Sequence, residues 1–225
     1  VIVEFDPVVP PPDEDAPTGL NADHPMRAVT RAVAFDPEGW TERRRAEVAG
    51  LFDSLAPDWD TRDVPGREAP LLDALDRGLA AAPAASGRAD RRVAVDIGAG
   101  TGLYTRFLTD RFDLVVALDL AGEMLRHAAP EVTVRVQGDG AVLPVADGSV
   151  DVLVLANAFL FPAEVHRALS PSGAVVWVNS RGSDTPIHLP AEDVDAALAT
   201  TGVAWDGVAS TAGWGTWSVH WRSPA

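Results

Sequence analysis

Cysteine is absent from this chain of 225 residues. Disulfides, thiolate metal sites, cysteine nucleophiles and Cys-ligated iron–sulfur clusters are therefore excluded. The absence suits a reducing compartment, and a cytoplasmic location is the expectation. Positive charge is scarce, with 33 acidic residues against 18 basic ones and a formal net charge of −15. Such a field repels phosphate backbones and anionic lipid, so no nucleic acid partner is expected. Long apolar runs are also missing. The longest candidate, Val150 to Phe161, is interrupted by Asp151 and Asn157 and falls short of the ~18 residues of a membrane span. No stable membrane insertion is expected. The start, Val1-Ile-Val-Glu-Phe-Asp-Pro7, lacks a basic region followed by an apolar core, so a secretory leader is not expected either. The five histidines (His24, His127, His166, His188 and His220) share no metal-ligand spacing on a helix, and no metal is expected.

What is present reads as one folded domain. Hydrophobic residues make up 47% of the chain, an ordinary globular share. Residues 1–38 form an acidic, proline-rich leader. Its first 25 residues hold six prolines, six acids and no Lys or Arg, a composition that blocks ladders and repels itself. It reads as a mobile or extended segment, or else as an arm lying on the domain or on a second subunit of a homodimer. Residues 39–90 form a helical segment. Val48, Leu51, Phe52 and Leu55 share one face of a helix over 41–56, with Thr41 as its N-cap and Pro57 as its stop. A second helix is predicted over 68–82, with Leu71, Leu72, Leu75 and Leu79 inward, and then a connection from Pro83 to Asp90.

Residues 91–225 alternate strands with helices. Strands are predicted at 93–97, 114–118, 132–136, 150–155 and 174–178. Helices are predicted after the glycine-rich turn, around 122–127, at 163–169 and at 191–200. The tail gives two more strand-like runs, 203–210 and 216–222, joined by Thr211-Ala-Gly-Trp-Gly215 as an antiparallel hairpin. The fold class is α/β: a three-layer, Rossmann-like sandwich around a mostly parallel seven-stranded sheet.

The chemistry concentrates in Asp96-Ile-Gly98-Ala99-Gly100-Thr-Gly102. Glycine lets the backbone turn tightly and approach a ligand without a Cβ in the way. The helix expected to follow would add free N–H groups and a positive dipole end. Asp119 ends the second strand, where a carboxylate can accept hydrogen bonds from both ribose hydroxyls. Asp139, in Gln137-Gly138-Asp139-Gly140, stands where an acid can accept from an adenine amino group. Each has a plainer reading: Asp96 as a helix cap, Asp119 as a solvated strand end, Asp139 as a turn former. The spacing G-x-G-x-G puts Leu103 where the dinucleotide pattern needs its third glycine.

In this order the motifs resemble those of class I S-adenosylmethionine-dependent methyltransferases. The resemblance runs over roughly residues 91–180, through Val95-Asp-Ile-Gly-Ala-Gly-Thr-Gly102, Ala117-Leu-Asp-Leu120 with Met124-Leu125, Gly138-Asp139, Leu143-Pro144 with Asp147-Gly-Ser-Val-Asp151, and His166-Arg-Ala-Leu-Ser-Pro-Ser-Gly173. A shorter match, Leu51 to Asp60, is similar to the lead-in of quinone-type and other small-molecule methyltransferases. The resemblance implies S-adenosylmethionine as cofactor and S-adenosylhomocysteine as product. It implies that Gly98 and Gly100, with Ala99 and Gly102 in the same turn, pass the methionine part. Asp96 would act nearby through the amino group or a water. Asp119 would hold the ribose, Leu120 and Met124 would flank the adenine, and Asp139 would take its amino group. The backbone of Gly140 and Ala141 would lie close by, and Asn157 would sit near the methionine amine. Trp59 would cover the cofactor or serve as ordinary packing.

Methyl transfer leaves the hard chemistry to the cofactor and asks the protein mainly for positioning. A base is needed only if the acceptor loses a proton, and Tyr104, Asp184 and His188 are the candidates. The expected activity is methylation of an O, N or C atom of a small molecule. A non-catalytic cofactor-binding protein and a nicotinamide-dependent oxidoreductase are the rivals. Leu103 speaks against the oxidoreductase, as does the lack of a Tyr-x-x-x-Lys pair around the single tyrosine.

Overall fold

The computed structural model describes residues 1–12, 23–83 and 92–224. Beyond Pro83, the expected connection to Asp90 and the segment boundary at 90–91 lie outside these residues. In chain order the elements are β1 (Ile2–Glu4), α1 (Met26–Phe35), α2 (Glu42–Leu55), α3 (Ala69–Asp73), α4 (Leu79–Ala81), β2 (Val93–Ile97) and β3 (Leu114–Asp119). There follow α5 (Gly122–Arg126), β4 (Arg135–Gln137), β5 (Val150–Ala156), α6 (Pro162–Ala168), β6 (Leu169–Asn179), α7 (Ala191–Ala199), β7 (Trp205–Ala212) and β8 (Gly215–Arg222).

The eight strands form one sheet in the order β1-β7-β8-β6-β5-β2-β3-β4. β2 pairs in parallel with both β3 and β5, and the closing pair β7–β8 is antiparallel. From β2 the chain moves outward to β3 and β4 and then returns to the other side of β2. That reversal opens a crevice at the C-terminal ends of β2, β3 and β5, where open α/β sheets bind ligands. All seven residues of β5 are buried, as a strand covered on both faces requires. One face packs on Val165, Ala168, Val194 and Leu198 of α6 and α7. The other packs on Leu71, Leu75 and Leu79 of the α3–α4 segment.

The sequence predicts seven strands; the eighth is β1, at the start of the segment read as a leader. It pairs in parallel with β7, Ile2 opposite Gly207 and Glu4 opposite Ala209. β7 would otherwise present an edge of open N–H and C=O groups. Phe5 and Val9 continue the contact, the Phe5 amide donating to Ala209 and the Val9 carbonyl accepting from Gly213. These residues lie on the domain as an arm. α1 falls inside the same expected leader. Met26, Thr30 and Val33 recur at helical spacing and are buried.

Three elements differ in length or kind. The turn after β2 is followed by a single 3-10 turn, Thr105–Phe107, and not by the expected helix. Gly98, Gly100 and Gly102 hold φ of 71°, 60° and 85°, so no right-handed helix can begin before Leu103. Further on, the Thr109 hydroxyl donates to the Arg106 carbonyl, a local alternative to helical pairing. The helix dipole expected at this turn is therefore absent. The fourth strand in line is only Arg135–Gln137, because Val132 turns inward beneath Gly102 and packs with Ala99, Ala117 and Ala128. β6 begins at Leu169 and absorbs Ser170-Pro-Ser-Gly173 through a register shift against β5.

The helices around the crevice follow from capping and turn chemistry. Thr41 caps α2 by accepting the Arg44 amide at 3.2 Å. Pro57 does not end the helical path: it opens a 3-10 helix, Ala56–Arg62, where its missing N–H costs nothing. The helix expected over 68–82 is relieved by a π turn, Ala74–Gly78, between α3 and α4. Gly78 brings that turn against β8, where a Cβ would stand 2.5 Å from Val219.

Candidate functional site

A cavity of about 590 Å³ opens at the crevice, within the ~300–1,000 Å³ range of small-molecule sites. Its floor is the glycine turn and the ends of β2, β3 and β5. Its roof is the N-terminal segment, with Trp40, Val48, Leu51, Phe52, Leu55 and Trp59 facing inward. The apolar face of α2 thus lines the cavity. Of its four apolar residues only Val48 is buried, and Leu51 remains 43% exposed.

Gly98 and Gly100 line the floor. A Cβ at Gly98 would stand 2.8 Å from the Ala158 Cβ, and one at Gly100 would stand 3.4 Å from the Trp59 indole nitrogen. Both positions need left-handed backbone as well, which a side chain disfavours. Ala99 also lines the cavity, whereas Gly102 lies behind it against Val132. The Asp119 carboxylate closes the turn: it accepts the Gly100 amide at 2.7 Å and the Ala121 amide at 2.8 Å. Burial raises its pKa, and those same amides pull it back. A carboxylate has about four acceptor positions, so these amides leave it acceptor capacity for a ligand. Leu120 and Met124 line the wall beside it.

Asp96 does not line the cavity. It is 1% exposed beneath the turn, where Thr105 donates to it at 2.6 Å. Burial pushes its pKa up to about 7; the Thr105 bond opposes the shift and the Asp119 charge adds to it. Direct contact between Asp96 and a ligand amino group is thus not provided by this arrangement.

Asp139 also lines the cavity, two residues past the β4 position that pairs with Asp119, and Gly140 beside it packs closely on Ile97 and Phe161. The Asp139 carboxylate accepts the Trp40 indole N–H at 3.0 and 3.1 Å and the Ala141 amide at 2.9 Å. The Arg45 guanidinium stands 3.6 Å away. Ala141 and Gly138 do not line the cavity. Ala141 shapes the Asp139 turn, and the Gly138 amide donates to the Asp119 carbonyl. Asn157 lines the floor at φ 55°, the only left-handed residue besides glycine among those described. Its side chain is tied to Ser180 at the end of β6 in both directions, at 2.9 and 3.1 Å.

The three candidate bases separate. Tyr104 is in the cavity wall, its hydroxyl donating to the Arg67 carbonyl at 3.4 Å. Asp184 is exposed and does not line the cavity. His188 lies outside the lining too. Its Nδ1 meets the Arg27 guanidinium at 3.0 Å, and burial with that charge pushes its pKa down to about 4. Sequence reasoning missed several wall residues: Trp40, Phe159, Phe161, His24, Arg67 and Arg181. Trp40 packs on both phenylalanines, with ring centroids 5.5 and 5.3 Å apart. The apolar pair Phe159 and Phe161 directly after Asn157 was a usable signal, since a strand had already ended there. Among the described residues no group of His, Asp or Glu is placed to hold a metal ion.

Residues 95–177 match the sequence profile of the methyltransferase domain family. The biotin biosynthesis bifunctional protein BioHC of Cellvibrio japonicus is 29% identical over 84% of this chain and 41% of its own length. The chain thus spans about two fifths of that relative. Demethylmenaquinone methyltransferase of Thermobifida fusca is 32% identical over 68% of the chain and 66% of its own length. Among solved structures, the DhpI–SAH complex is similar with a TM-score of 0.57 at 20% identity, covering 82% of this chain and 100% of that one.

Proposed function

The chain carries the fold of the class I, Rossmann-like S-adenosylmethionine-dependent methyltransferases, and on that premise we propose that it methylates an O, N or C atom of a small-molecule acceptor. The observation that carries this reading is the cavity itself: a glycine turn held in left-handed backbone, facing the carboxylates of Asp119 and Asp139 at the ends of the adjacent strands β3 and β4. The donor set fits the cofactor. Asp119 retains acceptor positions for the two ribose hydroxyls. Phe159, Phe161, Leu120 and Met124 give an apolar slot for the adenine, and Asp139 closes it. The chain would hold the cofactor by these groups, with Gly98 and Gly100 beside its methionine part.

When bound, the cofactor supplies an activated methyl group on a sulfonium. The protein supplies proximity, holding the acceptor in line while the α1–α2 roof excludes water. We take α1 with residues 40–67 as that roof. Tyr104 is the titratable wall residue nearest the glycine turn in sequence. His24 also lines the wall, but its Nδ1 accepts the Met26 amide at 3.2 Å, which leaves Nε2 as a donor. The net charge of −15 favours a small acceptor over a polyanion.

Calorimetry with S-adenosylhomocysteine, using NADH as control, tests the reading. We expect tight binding of the former alone. Asp119→Ala should weaken it by ~1–3 kcal/mol, the worth of a lost charge-assisted hydrogen bond. Binding of NADH in its place would refute the proposal.

A further inference from the structure

All 18 basic residues of this chain are arginines, against 33 acids. Carboxylate partners are plentiful, and Arg31, Arg77, Arg106, Arg126 and Arg167 each sit against one. Three arginines in the cavity wall do not, and one of them, Arg62, is taken up by the Asp58 carbonyl at 3.2 Å and by the Trp59 ring at 4.4 Å, which leaves two. Arg181 follows β6, and its side chain has no hydrogen-bond or carboxylate partner among the described residues. Its Nε is buried and lacks an acceptor. Arg67 also has a buried Nε without an acceptor. Among the described residues its only side-chain hydrogen bond is from a terminal nitrogen to the Arg62 carbonyl, and its guanidinium stands 5.6 Å from the Tyr104 ring centre.

The two belong to one end of the cavity. The β7–β8 turn touches both of their loops. A Cβ on Gly182 would stand 3.4 Å from the Trp214 carbonyl, and one on Gly213 would stand 3.2 Å from the Gly66 carbonyl. Trp214, in that same turn, also lines the cavity. The Arg181 backbone is fixed in advance. Its amide donates to the Thr185 hydroxyl at 3.1 Å, and the preceding Ser180 amide donates to Asn157 at 2.9 Å. Buried guanidinium N–H groups without acceptors are costly; Arg27 and Arg222 also have such an Nε, but only those of Arg67 and Arg181 belong to the cavity wall, where a ligand oxygen would complete them.

We propose that this end of the cavity binds an anionic group of the acceptor, a carboxylate or a phosphate, with Arg181 as its principal contact and Arg67 as the second cation. The inference rests on the methyltransferase reading and names the acceptor's chemical class. Arg is the residue suited to either group, because its planar fork pairs two oxygens at once. In a chain of strongly negative charge, such a pair also marks the place where an anion can enter.

The test is calorimetry on protein saturated with S-adenosylhomocysteine, titrated with benzoate, phenyl phosphate and neutral benzamide. We expect one of the two anions to bind at least about tenfold more tightly than benzamide. Whichever binds identifies the group as carboxylate or phosphate. Arg181→Gln should lose about tenfold in anion affinity and Arg181→Lys less, with S-adenosylhomocysteine affinity within about twofold of wild type in both. The proposal is overturned if neither anion binds, if benzamide binds as well, or if Arg181→Gln keeps the anion. Joint loss of anion and S-adenosylhomocysteine in Arg181→Gln also overturns it, by placing the arginine at the cofactor. A wild type that binds no S-adenosylhomocysteine is a separate result and refutes the underlying reading.

Discussion

Replacing Asp96 by Asn should change how stability depends on pH, in a direction fixed by the site. Burial lifts the Asp96 pKa to about 7 in the folded chain, whereas an unfolded Asp titrates near 3.9. Between those values the native state holds a proton that the unfolded state has lost. Unfolding then releases protons, so stability falls as pH rises through the window, and the whole penalty is present above about pH 7. A shift of ~3 units corresponds to a ceiling of about 4 kcal/mol; relaxation around the carboxylate brings the expected value to about 1–4 kcal/mol. Asn does not titrate. Its carbonyl can still accept from Thr105, but its amide needs an acceptor beneath the turn, a pH-independent cost of ~1–3 kcal/mol. The informative quantity is therefore the slope of the difference between the two proteins. Urea melts from about pH 4 to about pH 8 should show the Asp96→Asn variant gaining on wild type across the window and levelling off above it. A flat difference, or one that falls with pH, would refute the burial argument.

Two further substitutions test the frame around the site. Gly98→Ala places a Cβ at left-handed φ and 2.8 Å from Ala158. It should lower stability by ~1–3 kcal/mol and lose S-adenosylhomocysteine binding, and a melt and a binding isotherm indistinguishable from wild type would contradict the turn geometry. His220 is buried in β8, its Nε2 against the Ser218 hydroxyl at 2.8 Å, and burial pushes its pKa down to about 3. The unfolded chain takes up this proton near pH 6.5, so wild type loses stability as pH falls from there toward 3. His220→Gln should remove that part of the acid slope, by about 1–4 kcal/mol. An unchanged slope between the two proteins would show that His220 is not neutral in the fold.

The parts of the fold that were legible are those fixed by the sheet. Strands such as Val93–Ile97 and Val150–Ala156 read clearly from apolar runs. Parallel pairing then delivers Gly98, Asp119 and Asn157 to the same sheet edge without further information. The helix after the glycine turn was misread because apolar spacing at Leu103, Phe107 and Leu108 fits burial in any conformation, and three left-handed glycines outweigh it. α1 was hidden by its neighbours, since prolines and acids dominate the average over a segment that holds ten helical residues. Periodicity on α2 identified an apolar face but not what it faces; Leu51, Phe52 and Leu55 look onto the cavity. Trp40 on Asp139, and the loops of Gly66 and Gly182 on the β7–β8 turn, join segments remote in sequence. Only packing brings them together. His188 follows β6 in sequence, but its side chain turns to Arg27, a partner 161 positions away, which no local pattern could have shown.

The two raised carboxylates connect stability to binding. The Asp119 charge lifts Asp96 further, and a cation nearby would do the reverse and favour the Asp96 carboxylate. S-adenosylhomocysteine carries an ammonium group next to an α-carboxylate and would bind beside Gly98 and Gly100, in the turn above Asp96; the coupling takes its sign from the ammonium, taken as the nearer of the two charges. Contact is not required for this coupling, because in a buried site a charge acts across several ångströms. Binding should therefore favour the Asp96 carboxylate and expel its proton below about pH 7. Affinity should rise with pH toward that value and then level. Calorimetry in two buffers of different ionisation enthalpy measures the released protons directly. At about pH 6.5 we expect a substantial fraction of a proton released by wild type, and little by Asp96→Asn. Equal release from both would leave Asp96 as a strut of the glycine turn, with its perturbed titration serving no part in cofactor binding.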